Sequence, residues 1–363
     1  MYYMVKRQHR APPDGMREEI AMSAVVCFGE VMLRLTPPGC TRFAQAKSFD
    51  VAFGGAENNV AVSLACFGEQ SRMVTKMPEN AIADMFMREM RALGVDTRFV
   101  VRGGERVGIY YVEKGASLRP TRVTYDRRHS AMTTLVPGEI DWDAVFEDAD
   151  WLHWTGITAA ISPTAPAVIL EALKAAKRHG VTVSCDLNYR KNLWTPEQAQ
   201  QVMPELVEYT DVIIGTVEDS ALTVGVVPEG VDIEKGRQTD EDYFKTAQML
   251  ARRFNAPKVA MMERESISSN DCNWFMKLYD AASDTMAHSR EYAIHIQDNV
   301  GCGDAFGAGL IYALRAGMSD QEAVEFGTAA GALKHTINGD YNLITRDEVL
   351  AIVNGGATGR VQR

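Results

Sequence analysis

The stretch Asp298-Asn-Val-Gly-Cys-Gly-Asp-Ala-Phe306 carries more information about fold and chemistry than any other part of the chain. The segment 292–296 before it predicts a strand, and the residues after it repeat apolar side chains at helical spacing. Gly301 and Gly303 let backbone N–H groups converge at the start of that helix, where the helix dipole favours an anion. The stretch therefore predicts an α/β fold with an anion-binding loop at one end of a sheet.

Asp304 stands at the start of this predicted helix, where an anion bound by the loop would bring two negative charges together. The arrangement makes sense if Asp304 accepts the proton of a substrate hydroxyl while the loop amides stabilise a phosphoryl group in transfer. The alternative is that Asp304 caps the helix and the glycines only turn the chain. The stretch is neither a dinucleotide-binding GxGxxG motif nor a Walker A loop, because Phe306 replaces the third glycine and no GK[ST] follows.

A second glycine motif, Phe53-Gly-Gly-Ala-Glu-Asn-Asn-Val-Ala61, opens the first long predicted helix. Gly54 and Gly55 allow a ligand to approach the backbone, and the side chains at 57–59 offer polar contacts. A helix start without any ligand explains the same residues equally well.

Away from these motifs, short apolar runs alternate with stretches whose apolar residues recur at helical spacing. Repeated units of this kind predict a mostly parallel, doubly wound sheet with helices on both faces. The predicted strands are 24–28, 151–154, 181–185, 212–214, 258–262 and 292–296, and the predicted helices are 57–67, 83–93, 165–178, 196–209 and 242–254.

Residues 97–135 break the alternation, because they contain strand-like runs and almost no helical pattern. Together with residues from about 30 to 50, they predict a small antiparallel sheet that projects as a lid over the strand ends. Residues 1–22 lack an apolar stretch of signal-peptide length and are predicted to be a disordered extension, with a partner-binding arm as the alternative. The domain itself is predicted over 23–355, followed by a flexible tail at 356–363.

The composition limits the classes of function. The chain has 363 residues, of which 46% are hydrophobic and 24% charged, as expected for a large globular domain with a subdomain. Its net charge of −10 argues against a nucleic-acid partner, and no apolar run approaches the roughly 18 residues of a membrane span. The six cysteines are scattered, and the seven histidines form no zinc motif. We therefore expect a cytoplasmic protein that acts on a small molecule.

Taken together, the two glycine motifs resemble both signatures of the ribokinase-like (PfkB-type) carbohydrate kinases. Gly54-Gly55 with Asn59 matches the family's GG-x-x-x-N segment, and residues 298–304 match its D-x-x-G-x-G-D segment. The resemblance covers roughly residues 25–351 and implies a ribokinase-like fold and an ATP-dependent sugar kinase. It assigns the role of catalytic base to Asp304, and that of the anion hole to Gly301, Cys302 and Gly303.

Within that family, residues 29–35, 55–59, 186–194 and 334–340 resemble the 2-keto-3-deoxygluconate kinases. Arg190 follows a predicted buried strand at its carboxyl end, where α/β sheets bind ligands. A guanidinium matches the carboxylate of a sugar acid, which a neutral sugar lacks. The alternative is an internal ion pair of Arg190, for example with Asp186.

In the resembling kinases this arginine meets the substrate carboxylate, and tyrosines of the lid touch the sugar. By position, Tyr110 and either Tyr125 or Arg127 would take the lid role. The substrate-binding residues implied by the resemblance are Gly54, Gly55, Ala56, Asn59, Tyr110, Arg127 and Arg190.

The resemblance also implies ATP, Mg²⁺ and a monovalent cation such as K⁺. The family's N-x-x-E segment corresponds to Thr216-Val-Glu-Asp219, which either keeps a water-mediated Mg²⁺ contact through Asp219 or forms a helix capping box. Asp298, with the turn at 338–340, is the candidate for K⁺. The implied nucleotide-binding residues are Asn188, Thr216, Arg264, Ser266 and Thr328.

The predicted function is ATP-dependent phosphorylation of the terminal (6-) hydroxyl of 2-keto-3-deoxygluconate. The alternatives are a kinase of the same fold for fructose, ribose or 2-keto-3-deoxygalactonate, and a catalytically silent sugar-acid sensor. Thr216 and the unusual turn at 262–267 motivate the sensor. Cys302, at a helix N-terminus, predicts a thiol with a depressed pKa, and the exposed lid edges predict a homodimer or higher homo-oligomer formed lid to lid.

Overall fold

The structure, a computed structural model, describes residues 23–233 and 237–356, so the predictions for residues 1–22 and 357–363 lie outside the described residues. In chain order the strands are β1 (Ala24–Phe28), β2 (Met32–Thr36), β3 (Asp50–Gly54), β4 (Ser71–Val74), β5 (Lys76–Met77), β6 (Val95–Asp96), β7 (Val101–Arg102), β8 (Gly108–Glu113), β9 (Arg122–Asp126), β10 (Ala149–Thr155), β11 (Thr182–Asp186), β12 (Val212–Gly215), β13 (Lys258–Ser266), β14 (Asp271–Asp280), β15 (Thr285–His288) and β16 (Tyr292–His295).

The helices, also in chain order, are α1 (Ala56–Cys66), α2 (Ala81–Ala92), α3 (Trp142–Phe146), α4 (Gly156–Ala160), α5 (Ala165–Arg178), α6 (Pro196–Val207), α7 (Val217–Val224), α8 (Asp240–Phe254), α9 (Cys302–Arg315), α10 (Asp320–Lys334) and α11 (Arg346–Val353). The predicted α/β class is confirmed, and most predicted elements differ from the observed ones by one or two residues at either end.

The main sheet has ten strands in the order β15-β14-β13-β12-β11-β10-β1-β4-β6, with β16 paired to β14. From β13 to β6 all neighbours run parallel, whereas β14, β15 and β16 form an antiparallel edge. The chain fills one side of β1 with β4 and β6 and then returns to its other side with β10. Strand order therefore reverses beside β1, and this is where open α/β sheets form a ligand crevice.

Two apolar clusters cover the two faces of this sheet. One contains buried side chains of α3, α5, α6 and α8, and the other contains those of α1, α2, α9 and α10. Polar residues occupy the carboxyl edge of the parallel strands, and the functional side chains described below lie there.

A separate four-stranded sheet, β3-β2-β8-β9, forms the lid. The predicted antiparallel arrangement is wrong for one pair, because β2 and β8 run parallel. Parallel neighbours need a long connection between them, and residues 37–107, which include α1 and α2 of the main domain, separate these two strands. Strand β7, which falls inside the region predicted as lid, pairs instead with β5 in a two-stranded sheet.

Candidate active site

A cavity of about 1430 Å³ lies between the carboxyl ends of the parallel strands and the lid. Residues from the ends of β1, β10, β11 and β12 line it, together with the start of α9. The predicted site residues that line it are Gly55, Ala56, Asn59, Tyr110, Arg127, Asn188, Arg190, Thr216, Asp219, Gly301, Cys302, Gly303 and Asp304. Gly54, Arg264, Ser266, Asp298 and Thr328 are not among its lining residues.

The glycine loop before α9 presents the amino end of a fourteen-residue helix to this cavity. Gly301 is the N-cap and has a φ of 85°, and a Cβ at this position would collide with the carbonyl oxygen of Asp340. At Gly303 the nearest atom to an added Cβ would be the Met262 sulfur, 3.6 Å away. Gly301 is therefore required by the fold, whereas the space beside Gly303 is open to a ligand at the unsatisfied amides of the first helical turn.

Asp304 is held in the cavity wall by a neighbour from the other glycine motif. The Asn59 amide donates to its Oδ2 over 2.7 Å, and no side chain caps α9. Burial raises the pKa of Asp304 to about 6; Asn59 lowers it, Asp340 raises it, and the charges of Arg190 and Lys334 lower it. The helix-cap alternative for Asp304 is thus wrong, and its carboxylate is placed to exchange a proton near neutral pH.

The polar residues of the first glycine motif have separate roles. Glu57 is buried, and its Oε1 accepts hydrogen bonds from the Thr155 amide and hydroxyl and from the Thr158 hydroxyl. Asn58 donates to the hydroxyl of Tyr341 over 2.9 Å. Asn59 alone reaches the predicted base, so Glu57 and Asn58 connect α1 to its surroundings.

Arg190 is exposed beyond the end of β11. Among the described residues its guanidinium donates one hydrogen bond, to the carbonyl oxygen of Tyr189 over 3.1 Å, and none of their carboxylates lies within ion-pairing distance. The alternative of an internal pair with Asp186 is therefore not realised. Through its charge Arg190 nevertheless lowers the pKa of both Asp186 and Asp304, so it lies close enough to both to affect their ionisation.

Asp186 is a candidate functional residue that the sequence analysis did not assign. Its Oδ2 accepts a hydrogen bond from Asn188 over 3.0 Å, while the buried Oδ1 has no partner among the described residues. Burial raises its pKa well above the ordinary value, and the charges of Asp219 and Asp304 raise it further. The signal was present in the sequence, because Asp186 ends a buried strand two residues before Asn188.

The segment Thr216–Asp219 forms the capping box of α7. Asp219 Oδ2 accepts from the amide and the hydroxyl of Thr216 over 3.1 and 2.7 Å, and its Oδ1 accepts from the Tyr189 amide over 2.8 Å. Both oxygens of this carboxylate therefore already accept hydrogen bonds from the protein. No cluster of three or more metal-ligating side chains occurs in residues 23–233 and 237–356.

The carboxylates of Asp186 and Asp219 nevertheless fit a Mg²⁺ ion that keeps most of its waters. Such an ion binds one or two carboxylates together with substrate phosphates. The free oxygen of Asp186 suits direct or water-mediated contact better than Asp219 does, and both residues line the same cavity as the anion-binding loop.

The lid residues contribute in unequal ways. The Tyr110 hydroxyl is buried and donates to Asp340 Oδ2 over 2.6 Å, and a Cβ on Gly54 would collide with both groups. Gly54 therefore makes room for this contact rather than for a ligand. Arg127 forms an ion pair with Glu30, and Tyr125 stacks on Tyr110 with ring centroids 6.1 Å apart.

Two predictions at the back of the loop are corrected. Thr328 is fully buried in α10, where its hydroxyl donates to the carbonyl oxygen of Val324 over 2.6 Å, so it cannot reach a nucleotide. Burial raises the pKa of the Cys302 thiol above its ordinary value, although the sequence predicted the opposite. The side chain lies beneath the loop and its thiol points to the carbonyl oxygen of Asp298, so loss of solvation outweighs the helix dipole.

Two predicted nucleotide contacts lie on β13. Arg264 and Ser266 are exposed, and Arg264 shares a strand face with Met262, which lines the cavity. The charge of Arg264 lowers the pKa of Cys302 and of His335. Both residues remain predictions for the nucleotide.

Asp298, the predicted potassium ligand, faces a second, smaller cavity of about 340 Å³ on the other side of the loop. Its carboxylate forms an ion pair with Arg34. The sequence analysis did not identify Arg34 as a site residue.

The structure has a parallel α/β sheet with an anion-binding loop and a titratable carboxylate at its carboxyl edge, and a β-sheet lid covers them. These features together define a class of phosphotransferases. Residues 22–253 and 268–346 match the pfkB family of carbohydrate kinases. The chain belongs to this family, and its predicted kinase activity on a carbohydrate with ATP and Mg²⁺ agrees with that membership.

Similar proteins cover nearly the whole chain. The crystal structure of a 2-dehydro-3-deoxygluconokinase from Thermotoga maritima is 43% identical, covers 92% of this chain and 100% of that one, and superposes with a TM-score of 0.88. A 2-dehydro-3-deoxygalactonokinase from Haloferax volcanii is 32% identical over 92% of this chain and 98% of its own length. A 2-dehydro-3-deoxygluconokinase from Bacillus subtilis is 28% identical, with coverages of 92% and 96%.

None of the helices in residues 23–233 and 237–356 has the length and apolar character needed to span a membrane.

Proposed function

We propose that this kinase transfers the γ-phosphoryl group of ATP to the terminal (6-) hydroxyl of 2-keto-3-deoxygluconate. The observation that carries the proposal is the exposed guanidinium of Arg190, which lines the cavity beside Asp304 and has no carboxylate partner among the described residues. A sugar acid supplies that partner, because a guanidinium binds a carboxylate through two parallel hydrogen bonds. The names of the relatives from Thermotoga maritima and Bacillus subtilis support the same substrate.

In this reaction Asp304 takes the proton of the acceptor hydroxyl. Asn59 occupies its Oδ2, so Oδ1 is the atom that receives the proton. The amides of Gly301 to Gly303, at the positive end of α9, stabilise the negative charge of the phosphoryl group during transfer. Arg190 fixes the acid end of the sugar, which orients its far hydroxyl toward the base.

When bound, Mg²⁺ neutralises charge on the phosphates of ATP. Asp186, and Asp219 through water, are the residues that would hold it. Asn188 and Thr216 line the same part of the cavity, and Arg264 and Ser266 would meet the nucleotide farther along β13. These contacts are proposals that extend the family assignment to individual side chains.

The experiment is an ADP-release assay with purified enzyme and a panel of sugar acids and neutral sugars. We expect the highest kcat/KM with 2-keto-3-deoxygluconate and a much lower value with fructose and ribose. A preference for a neutral sugar would contradict the proposal. Sugar-acid binding without turnover, seen by calorimetry in the presence of Mg²⁺ and ATP, would instead identify the chain as a sensor.

A second candidate substrate is 2-keto-3-deoxygalactonate, which differs from the first at a single stereocentre. The relative from Haloferax volcanii, whose name carries this substrate, is more similar in sequence than the one from Bacillus subtilis. Both epimers present the same carboxylate to Arg190, so the two candidates share the mechanism. The ratio of the two kcat/KM values decides between them.

The assembly and location of the enzyme are also proposals. The outer lid strands β3 and β9 expose Val51, Val123 and Tyr125, which supports pairing of two chains lid to lid. The six cysteines are free thiols, which agrees with a reducing cytoplasm.

A further inference from the structure

Arg34 is a lid residue whose charged group lies inside the main domain. It stands on β2, yet its side chain is only 2% exposed. Its Nη1 donates to Asp340 Oδ1 and its Nη2 to Asp298 Oδ2, each over 2.6 Å, and its Nε donates to the Thr36 hydroxyl over 2.8 Å. The guanidinium thus connects Asp298, at the start of the anion-binding loop, to Asp340, which lies behind the catalytic base.

The remaining carboxylate oxygens of this cluster are also occupied. Asp340 Oδ2 accepts the Tyr110 hydroxyl over 2.6 Å. Asp298 Oδ1 accepts the Val300 amide, and Asp298 Oδ2 also accepts the Gly339 amide, each over 3.2 Å. A cation bound between the two carboxylates would have to compete with these donors for the carboxylate oxygens.

Two backbone carbonyls next to this cluster are engaged as well. The carbonyl oxygen of His335 accepts the amides of Gln297 and Asp298, and that of Ile337 accepts the buried ammonium of Lys334 over 3.1 Å. Lys114 adds a further positive charge 4.0 Å from Asp298. The site therefore does not fit the K⁺ ion that its resemblance to the family predicts.

We propose that Arg34 is the resident cation of this site, and that the kinase consequently works without a monovalent metal ion. The guanidinium offsets part of the negative charge of Asp298 and Asp340 from a position that a free ion would otherwise have to occupy. Because it is covalently attached and always protonated, its occupancy depends on neither salt concentration nor pH. The proposal concerns the loop and the base, and it holds whichever sugar is the substrate.

The contacts connect this charge to the reacting groups. Asp340 lies 3.5 Å from the amide of Asn59, and that amide donates to Asp304 over 2.7 Å. On the other side, Asp298 begins the loop whose Gly301 packs on the backbone of Asp340. Arg34 is therefore a positioning residue that fixes the base and the anion-binding loop relative to each other.

The first test needs no variant. Initial rates of the full-length enzyme are measured in KCl, NaCl and choline chloride at constant ionic strength, with ADP quantified directly so that no coupling enzyme adds a cation requirement. We expect rates that agree within about twofold, and a melting temperature that K⁺ does not raise over choline, since a ligand of the folded state would stabilise it. Stimulation by K⁺ of about tenfold or more would overturn the proposal.

The second test removes the charge. Arg34→Ala should lower kcat by ~10²-fold, because a small misplacement of base and loop is costly, and K⁺ or guanidinium ion should restore part of the loss. Arg34→Lys should retain more activity than Arg34→Ala, because lysine keeps the charge but lacks the planar guanidinium that can bond both carboxylates. A folded Arg34→Ala enzyme that keeps full activity, or whose lost activity neither cation restores, would contradict the proposal.

Arg72→Ala is the matched control. Arg72 is equally buried and pairs with Asp96 and Asp148, but it lies at the amino-terminal end of the sheet. Its loss should lower stability without making activity dependent on K⁺ or guanidinium. Should Arg34→Ala fail to fold, the cation series on the unmodified enzyme still decides the question.

Discussion

The ionisation of Asp304 links catalysis to stability at this site. Asp304→Asn should lower kcat by roughly 10²–10⁴-fold, because the amide cannot accept the hydroxyl proton. Binding of sugar and ATP, measured by calorimetry, should change little, since Asn can still accept the hydrogen bond from Asn59. An Asp304→Asn enzyme that turns over normally would exclude the proposed base.

The same carboxylate predicts the pH dependence of activity. Because burial raises its pKa to about 6, the base is protonated in acid, and kcat/KM should rise with pH through about 6 and level off above it. The pH profile of kcat/KM measures this limb directly. A profile that stays flat between pH 5 and pH 8 would show that another group takes the proton.

Stability should change in the opposite sense. In the unfolded chain Asp304 has an ordinary pKa of ~3.9, so the folded state binds its proton more tightly. The free energy of unfolding therefore falls as pH rises from about 4 to about 6, and the loss is complete above that window. Asp304→Asn should be more stable than the unmodified enzyme by roughly 1–3 kcal/mol at pH 8 and equally stable near pH 3.5, as denaturant titrations can measure. A less stable variant at pH 8 would mean that the ionised carboxylate stabilises the fold.

Arg190 distinguishes a sugar-acid kinase from a neutral-sugar kinase. Arg190→Gln should lower kcat/KM for 2-keto-3-deoxygluconate by ~10- to ~100-fold, the value of a charge-assisted pair. Slow turnover of fructose should fall much less, since fructose has no carboxylate, and ATP affinity without sugar should be unchanged. Lys191→Gln is the control, because it removes the same charge from the adjacent residue of the same cavity wall. A parallel fall of both activities would show that Arg190 is structural or contacts phosphate.

Single residues were predictable where a local motif contains them. Asp304 and Gly301 belong to a seven-residue signature, and Arg190 follows a recognisable strand. Arg34 lies in the segment 29–35 that resembles related kinases, but that segment does not identify its partners, because they lie 264 and 306 positions away in the chain. Only the folded lid brings these charges together, and so no local pattern reveals them.

At the scale of elements, substitutions of two glycines at the amino end of α9 should have different effects. Gly301→Ala places a side chain at a φ of 85° and against the backbone of Asp340, so it should lower Tm by roughly 5 °C or more. Gly303→Ala meets no close protein atom and should leave Tm nearly unchanged, yet lower kcat/KM by ~10²-fold, because the methyl group intrudes where the phosphoryl group binds. Thermal unfolding and steady-state kinetics of the two variants test this. Full activity of Gly303→Ala would place the phosphoryl group elsewhere.

In the parallel sheet, β1 and the strands from β10 to β13 were predictable because each is a short apolar run, whereas β4 and β6 were not predicted. Of the antiparallel edge, β16 was predicted, whereas β14 and β15 were not. Strand β14 is buried along most of its length, so it lacks the alternation that identifies a half-exposed strand. Its long hairpin with β13 is set by tertiary pairing from Lys258–Asp280 to Ser266–Cys272. The direction of β2 against β8 likewise follows from the whole fold.

At the scale of the whole molecule, the lid is attached to the main domain by charge as well as by chain connections. Arg34 and Tyr110 reach Asp340 from β2 and β8, and Arg127 reaches Glu30 at the end of β1. The inner lid strands are therefore fixed to the site, while the outer strands β3 and β9 have free edges within the described chain. Any association through the lid would use these outer strands.

Association through the lid would depend on the outer edge of β3. Val51 on β3 is 56% exposed, and a lysine there adds a charge to an edge that would otherwise pair with a second chain. We expect light scattering after size exclusion to give the mass of two or more chains for the unmodified enzyme and of one chain for Val51→Lys, with the fold retained. Met249→Lys is the control, because Met249 is 40% exposed on α8, away from the lid. An enzyme that is monomeric at all concentrations, or an assembly that Val51→Lys leaves intact while Met249→Lys disrupts it, would show that the lid edge is not the interface.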